Sequence, residues 1–229
     1  SVFAVNTFGT TNILDAVSKH AKNAKVLVVS SSEVYGEPRP GTLPLNEMVP
    51  MRPVTMYGVS KAAADLSACK YALSEQINVV RARPFPHIGP GQNDRFAISS
   101  FAKQLALIKL NKAEPIIKVG NLESKRDYSD VSDIVRGYRE AILNGISGDA
   151  YNLCSGVSKE IGEVLQMLIK IAEVEVEIQV DKSRLRSIDI PDVYGSYQKA
   201  QKDFGWKPRI PLEGTLSSLF AHWLEVLSA

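Results

Sequence analysis

Cysteine is nearly missing from this 229-residue chain: Cys69 and Cys154 are the only two, and they show no metal or redox spacing. A disulfide-built or zinc-built domain is thereby excluded, and both thiols are expected in the core of a protein from a reduced, cytoplasmic setting. An excess of one charge sign is also missing. Lys and Arg number 27 against 25 Asp and Glu, a net of +2. No basic stripe or aromatic-interleaved basic run occurs, so nucleic acid is not the expected partner. Long apolar runs are absent too. A run such as "VLVV" at 26 to 29 is far short of the roughly 20 residues that span a bilayer, and no signal or lipidation motif is evident, so no membrane partner is expected. There is no internal repeat and no low-complexity tract. The last absence concerns glycine: no G-x-G-x-x-G turn, nor a near variant, occurs anywhere in the chain.

What is present is ordinary for a soluble globular protein, 45% hydrophobic and 23% charged, enough to bury one large domain or one and a half smaller ones. The apolar pattern over residues 2 to 21 predicts a helix. "KVLVVS" (25 to 30) reads as a buried parallel strand. Residues 36 to 54 hold five of the twelve prolines and predict an irregular surface segment. A helix from about Tyr57 to Leu73 and the strand "NVVRAR" (78 to 83) follow. Strand, helix, strand in this order predicts a parallel sheet with helices on its faces. Further helices are expected at 95 to 110, 131 to 143, 160 to 173 and Leu212 to Leu227, with short strands near Ile116 to Val119, Ala150 to Cys154 and 176 to 180.

"TMYGVSKAAAD" (55 to 65) puts Tyr57 four residues before Lys61 at the start of a predicted helix, so the two polar heads share a face. A free phenol has a pKa near 10. Bringing it to about 7 beside an ammonium takes roughly 4 kcal/mol of differential stabilisation and would make it a usable general acid or base. Alone, a Y-x-x-x-K pair is common, and two surface residues at helical spacing is the ordinary alternative. Context shifts the balance. "VVSSSEVYG" (28 to 36) places hydroxyls at the carboxyl end of a predicted strand, and "RARPFPHIGPGQ" (81 to 92) delivers a loop to the same edge, where open α/β sheets bind ligands. For the serines, a turn or helix cap is the competing role.

Seven strings in order, "NTFGTTNILDAV" (6 to 17), "VSSSEVYGEP" (29 to 38), "YGVSK" (57 to 61), "RPFPHIGPGQ" (83 to 92), "RDYSDVSDIV" (126 to 135), "YNLCSG" (151 to 156) and "GWKPRIPL" (205 to 212), give the chain a resemblance to the extended short-chain dehydrogenase/reductases. These are the nucleotide-sugar epimerases, dehydratases and reductases. The chain most resembles the branch that reduces the C4 ketone of GDP-linked 4-dehydro-6-deoxy sugars. The fold this implies is α/β: a Rossmann-type doubly wound parallel sheet without its amino-terminal strands, with a smaller α/β substrate lobe. Residues 1 to 86 would form the carboxyl-side half of the dinucleotide domain. Residues 87 to 229 would form mainly the substrate lobe, some segments returning to the first domain.

The resemblance implies NADP or NAD as cofactor, a nucleotide-sugar substrate, GDP-linked by preference, and a homodimer formed through the first helix and the Tyr57 helix. Ser31 would hydrogen-bond the sugar carbonyl. Tyr57 would exchange the proton, and Lys61 would hold the nicotinamide ribose and lower the tyrosine pKa. Cofactor contacts would also come from Pro84 and His87, though for His87 packing is an equal alternative. Substrate contacts would come from Ser32, Glu33, Arg126 and Arg186, the arginines gripping the diphosphate with planar forks; Arg184 competes with Arg186. Asn6 would stand on the helix behind the site, with a helix cap as the rival role. Trp206 would anchor the carboxyl-terminal lobe. No metal is implied.

Two departures from the family pattern stand out. Pro86 occupies a position that usually carries a substrate-contacting asparagine. The glycine-rich turn that receives the cofactor pyrophosphate would lie ahead of residue 1, so the chain reads as a fragment that should bind cofactor poorly unless a second chain supplies that turn. Glu33 leaves the activity open, since sugar dehydratases of the family use a glutamate here to eliminate water. The alternatives are therefore a 4,6-dehydratase or epimerase retaining its cofactor, or a non-catalytic binding protein on the same fold.

Overall fold

The computed structural model describes residues 1–185 and 189–228. A helix opens the chain as a π-helical stretch (Ala4–Gly9) and continues as α1 (Thr10–His20). Then come β1 (Lys25–Val29), α2 (Met56–Ser74), β2 (Asn78–Pro84), β3 (His87–Ile88), α3 (Ala97–Lys109), β4 (Ile116–Val119), β5 (Lys125–Asp127) and β6 (Ser129–Asp130). They are followed by α4 (Val131–Asn144), β7 (Ala150–Leu153), β8 (Ser158–Glu160), α5 (Ile161–Ala172), β9 (Glu177–Val180), β10 (Asp192–Val193), α6 (Gln198–Phe204) and α7 (Leu212–Ser228).

The parallel sheet β1-β2-β7 is the frame. Leu27 pairs with Val80 in one ladder, and Arg83 pairs with Asn152 in the other. Alternation along β2 sends successive side chains to opposite faces. Val79 packs with Leu14 of α1 and Ala68 and Tyr71 of α2. Val80 and Ala82 pack on the other face with Ile134 and Ala141 of α4, Ala200 of α6 and Trp206. Helices therefore cover both faces, the doubly wound arrangement the sequence predicts. A second core lies among α3, α5 and α7, where Phe101, Leu105, Leu165, Leu168, Leu216 and Leu219 meet beside β4.

Three details differ from the sequence expectations. The first helix is π-wound for six residues rather than regular. Trp206 is fully buried, but it packs against the β2 and β7 face of the main sheet rather than anchoring the carboxyl-terminal lobe. Its indole donates to the Asp133 carbonyl at 3.0 Å, so the ring sits where α4 and the segment after α6 converge. The two- and three-residue strands β3, β5, β6, β8 and β10, and the short helix α6, carry no readable periodicity at that length. The proline-rich segment 36 to 54 is irregular, as expected. Gly36 there has φ +65°, and a Cβ on it would stand 1.9 Å from the Arg52 carbonyl oxygen, so only glycine fits.

Candidate active site

β1 ends at Val29, and the chain turns directly into a single 3₁₀ turn, Ser32–Val34. Ser31 starts that turn in extended conformation, and its Oγ accepts from the Glu33 amide at 3.2 Å. The cap role weighed for these serines is thus real, and it fixes where the Ser31 hydroxyl sits. Thr55 caps α2 in the same way: its Oγ1 accepts from the Gly58 amide at 2.9 Å. That hydroxyl also donates to Glu33 Oε2 at 2.9 Å. One threonine therefore ties the mouth of α2 to the turn that follows β1.

Gly58 brings the two segments closer still. A Cβ there would lie 2.7 Å from the Glu33 carbonyl oxygen, 3.0 Å from Pro53 Cβ and 3.2 Å from Thr55 Oγ1. Without side-chain bulk at 58, the first turn of α2, which carries Tyr57, packs against the turn that carries Ser31.

The electrostatics differ from the sequence expectation. Burial pushes the Tyr57 phenol above its ordinary value; the Ser31 hydroxyl pulls it down, and the Glu33 carboxylate adds to the rise. The expected lowering by Lys61 is not what the geometry gives. The Lys61 ammonium lies 5.9 Å from the Tyr57 ring centroid and donates to the Val29 carbonyl at 2.9 Å, while burial lowers its own pKa. Tyr57 is thereby a protonated phenol at neutral pH, 40% exposed and reachable. It is a proton donor before it is a base.

Asn6 is not a helix cap. It lies inside the π-helical stretch and donates through Nδ2 to Ser60 Oγ at 3.0 Å, while Thr7 Oγ1 donates to the Ser60 carbonyl at 3.0 Å. Ser60 Oγ in turn donates to the Tyr57 carbonyl at 2.7 Å. Placing hydrogen-bonding irregularity beside a functional turn is a common use of π-helical geometry. Thr55, Gly58 and Ser60 are supporting residues that sequence reasoning missed. The one signal available was the threonine three residues before a small residue at a helix start.

The remaining expected residues are distributed around this centre. Ser32 is buried directly after Ser31. Pro84 closes β2 at the carboxyl edge of the sheet. His87 begins β3, and its Nδ1 is 3.0 Å from the Phe85 carbonyl oxygen, so the ring turns back toward the link between β2 and β3. Arg126 stands on β5, outside the main sheet, and its guanidinium is already engaged. It donates to Asp189 Oδ1 at 2.7 Å, to the Ile190 carbonyl at 2.6 Å and to the Lys125 carbonyl at 2.7 Å. Two of its five N–H groups are left for an anion. Arg184, the competitor of Arg186 for the second arginine's role, donates to Ser100 Oγ at 3.1 Å. Arg186 lies outside the described residues.

A hydroxyl, a protonated phenol and an ammonium at the end of one strand can move a proton to or from a substrate oxygen. The same residues fit the nicotinamide-ribose end of a dinucleotide. Lys61 donates one of its three N–H groups to Val29, leaving two for ribose hydroxyls. Among the described residues no group of three or more His, Cys, Asp or Glu could hold a metal ion, and no helix is long and apolar enough to cross a membrane.

Comparison with known proteins gives one pattern. The family profile described as GDP-mannose 4,6 dehydratase matches residues 1–219. GDP-6-deoxy-D-mannose reductase of Pseudomonas aeruginosa is 36% identical over 219 residues, 96% of this chain and 72% of that protein. GDP-6-deoxy-D-talose 4-dehydrogenase of Aggregatibacter actinomycetemcomitans is 31% identical over 86% of this chain and 64% of its own length. Among solved structures, RMD from Pseudomonas aeruginosa complexed with NADPH superposes with a TM-score of 0.93 at 35% identity, covering 98% of this chain and 74% of that one. The dTDP-glucose 4,6-dehydratase of Bacillus anthracis in complex with NAD gives a TM-score of 0.85 at 25% identity, with 98% and 68% covered. The chain thus spans about two thirds to three quarters of the length of these relatives.

Proposed function

Because this chain belongs to the GDP-mannose 4,6-dehydratase family of NAD(P)-dependent nucleotide-sugar enzymes, we propose that it carries the proton-transfer centre of a reductase acting on the C4 ketone of a GDP-linked 4-dehydro-6-deoxyhexose. The observation that carries this reading is the likeness over nearly the whole chain to a GDP-6-deoxy-D-mannose reductase, joined to a Tyr57 that stands protonated at neutral pH.

Reduced nicotinamide, when bound, supplies the hydride to C4. The chain supplies the rest. Ser31 donates to the ketone oxygen and orients it toward Tyr57. The Tyr57 phenol gives its proton to that oxygen as negative charge develops there. The two remaining N–H groups of Lys61 hold the nicotinamide ribose, and Pro84 and His87 border the cofactor at the carboxyl edge of β2. Ser32 and Glu33 line the sugar. Arg126 contacts the diphosphate with the N–H groups that Asp189 leaves free, and Arg186 is its expected companion.

Glu33 favours the reductase over a dehydratase in this scheme. Its carboxylate already accepts from the Thr55 hydroxyl that caps α2, a holding task rather than acid–base duty. We also read the protein as a cytoplasmic homodimer. Val59, Leu66 and Leu73 repeat every seven residues along α2, and with Val5 and Phe8 they leave large apolar side chains exposed on the α1 and α2 layer. A second copy would cover them.

The test mixes the protein with NADPH or NADH and GDP-4-dehydro-6-deoxymannose and follows loss of reduced-nicotinamide absorbance. Oxidation that falls by about 10² to 10⁴ in Tyr57→Phe is the expected result. Folded protein that binds the cofactor yet oxidises none of it, or a Tyr57→Phe variant with undiminished turnover, would overturn the assignment.

A further inference from the structure

Tyr57 and Lys61 share their helix stripe with a third polar residue that the proton transfer does not use. Asp65 lies one further helical turn on, so 57, 61 and 65 stand in line on α2. Its side chain is fully buried. Asp65 Oδ1 accepts from Arg81 at 2.7 Å and from the Arg83 NH2 group at 3.1 Å, and Oδ2 accepts from Arg83 Nε at 2.9 Å. Arg81 and Arg83 are alternate residues of β2 and so reach the same face.

The network does not stop at the arginines. Arg83 also donates to the Tyr35 hydroxyl at 3.0 Å and to the Glu47 carbonyl at 3.3 Å. The Tyr35 hydroxyl donates to Asn152 Oδ1 on β7 at 2.7 Å. Tyr35 is the residue that closes the 3₁₀ turn beginning at Ser31. One buried hydrogen-bonded path therefore runs from the helix carrying Tyr57, through Asp65 and Arg83, to the turn carrying Ser31.

We infer that Asp65 and Tyr35, joined through Arg83, are positioning residues that set the approach of the Ser31 hydroxyl to the Tyr57 phenol. This rests on Ser31 and Tyr57 being the reacting pair proposed above. Three charges in a core are a poor route to stability, since desolvation consumes most of the Coulombic gain and apolar groups of similar volume commonly do as well. A bidentate fork gives something apolar packing does not, a fixed slide and rotation of α2 on β2. Tyr35 extends that fix to the turn. Its phenol is pushed up to about 12, chiefly by burial, and so remains the neutral donor the path needs.

Tyr35→Phe removes the bridging hydroxyl while keeping the ring. Its effect is read by ring-labelled tyrosine NMR, the Tyr57 resonance being assigned by its loss in Tyr57→Phe. Loosening the turn weakens the Ser31 contact that favours ionised Tyr57, so Tyr57 should titrate at higher pH than in the parent. Turnover should fall about 10- to 100-fold with KM within about threefold. Asp65→Asn should move the same resonance in the same direction. Thr215→Val, which breaks an equally buried bond to Asp130 in the α3–α5–α7 lobe, should lower the melting temperature and leave the Tyr57 titration unchanged. Loss of stability in Tyr35→Phe with titration and turnover unchanged would overturn the inference, and that variant decides alone if Asp65→Asn fails to fold. The titration needs no substrate. A shifted Tyr57 in a protein that binds the cofactor but oxidises none of it would sink the reductase reading and leave the positioning role standing.

Discussion

Alanine at position 58 should damage turnover far more than folding. Gly58 lies in the first turn of α2 with helical backbone angles, so alanine itself favours the helix there by about 1 kcal/mol. The added Cβ, however, would stand 2.7 Å from the Glu33 carbonyl oxygen, a backbone atom held by the turn after β1. Ordinary contact begins near 3.4 Å, so the helix mouth and the turn must part by about 0.7 Å. Overpacking of this kind costs about 1–3 kcal/mol. Set against the helix gain, the net loss is between about 0 and 2 kcal/mol, or at most about 8 °C in melting temperature for a chain of this length.

The same displacement moves the helix mouth that carries Tyr57 against the turn that carries Ser31. Misplacing reacting groups by about 1 Å can cost about 100-fold in rate, so a shift of this size should lower kcat by roughly 10- to 100-fold. Thermal unfolding by circular dichroism and cofactor oxidation measured on one preparation separate the two effects. An alanine variant that keeps the parent's kcat would refute the argument that close approach at Gly58 sets the Ser31–Tyr57 geometry. A variant that loses activity only in proportion to unfolded protein would refute it equally.

High pH offers a check on the buried phenols. Tyr35 and Tyr138 are both held up to about 12, chiefly by burial. The folded state then keeps protons that the unfolded chain has released, so the phenols' contribution to stability is constant below about pH 10 and is lost between about 10 and 12. For Tyr35 alone this amounts to roughly 3 kcal/mol across that window, and Tyr35→Phe should lose less stability than the parent between pH 9 and pH 11 in denaturant titrations. On the exposed stripe of α2, Leu66→Asp should convert a dimer to monomer by light scattering with circular dichroism unchanged; an unchanged mass would remove that face from the interface.

The frame was legible because its elements are long and patterned. "KVLVVS" and "NVVRAR" announce parallel strands by unbroken apolar runs, and the Tyr57–Lys61 spacing announces a shared helix face. What the pattern could not carry was direction of charge. Spacing places Lys61 beside Tyr57 but does not say that its ammonium turns to the Val29 carbonyl, 5.9 Å from the ring centroid, or that burial outweighs it. Nor could spacing join Asp65 to Arg83 and Tyr35, because those contacts depend on which face of β2 meets α2. Glu33 shows the same limit most sharply. Its place after three serines resembles a dehydratase acid–base group, yet in the fold its carboxylate accepts from Thr55 and raises the Tyr57 phenol. Glu33→Gln keeps an acceptor for the Thr55 hydroxyl and removes the negative charge. A reductase should then hold kcat within about tenfold at neutral pH. The charge that disfavours phenolate is gone, so the alkaline limb of its pH–rate profile should move to lower pH. Abolished turnover at every pH in a folded variant would mean that the carboxylate itself exchanges protons with the sugar, and would refute its reading as a holding group.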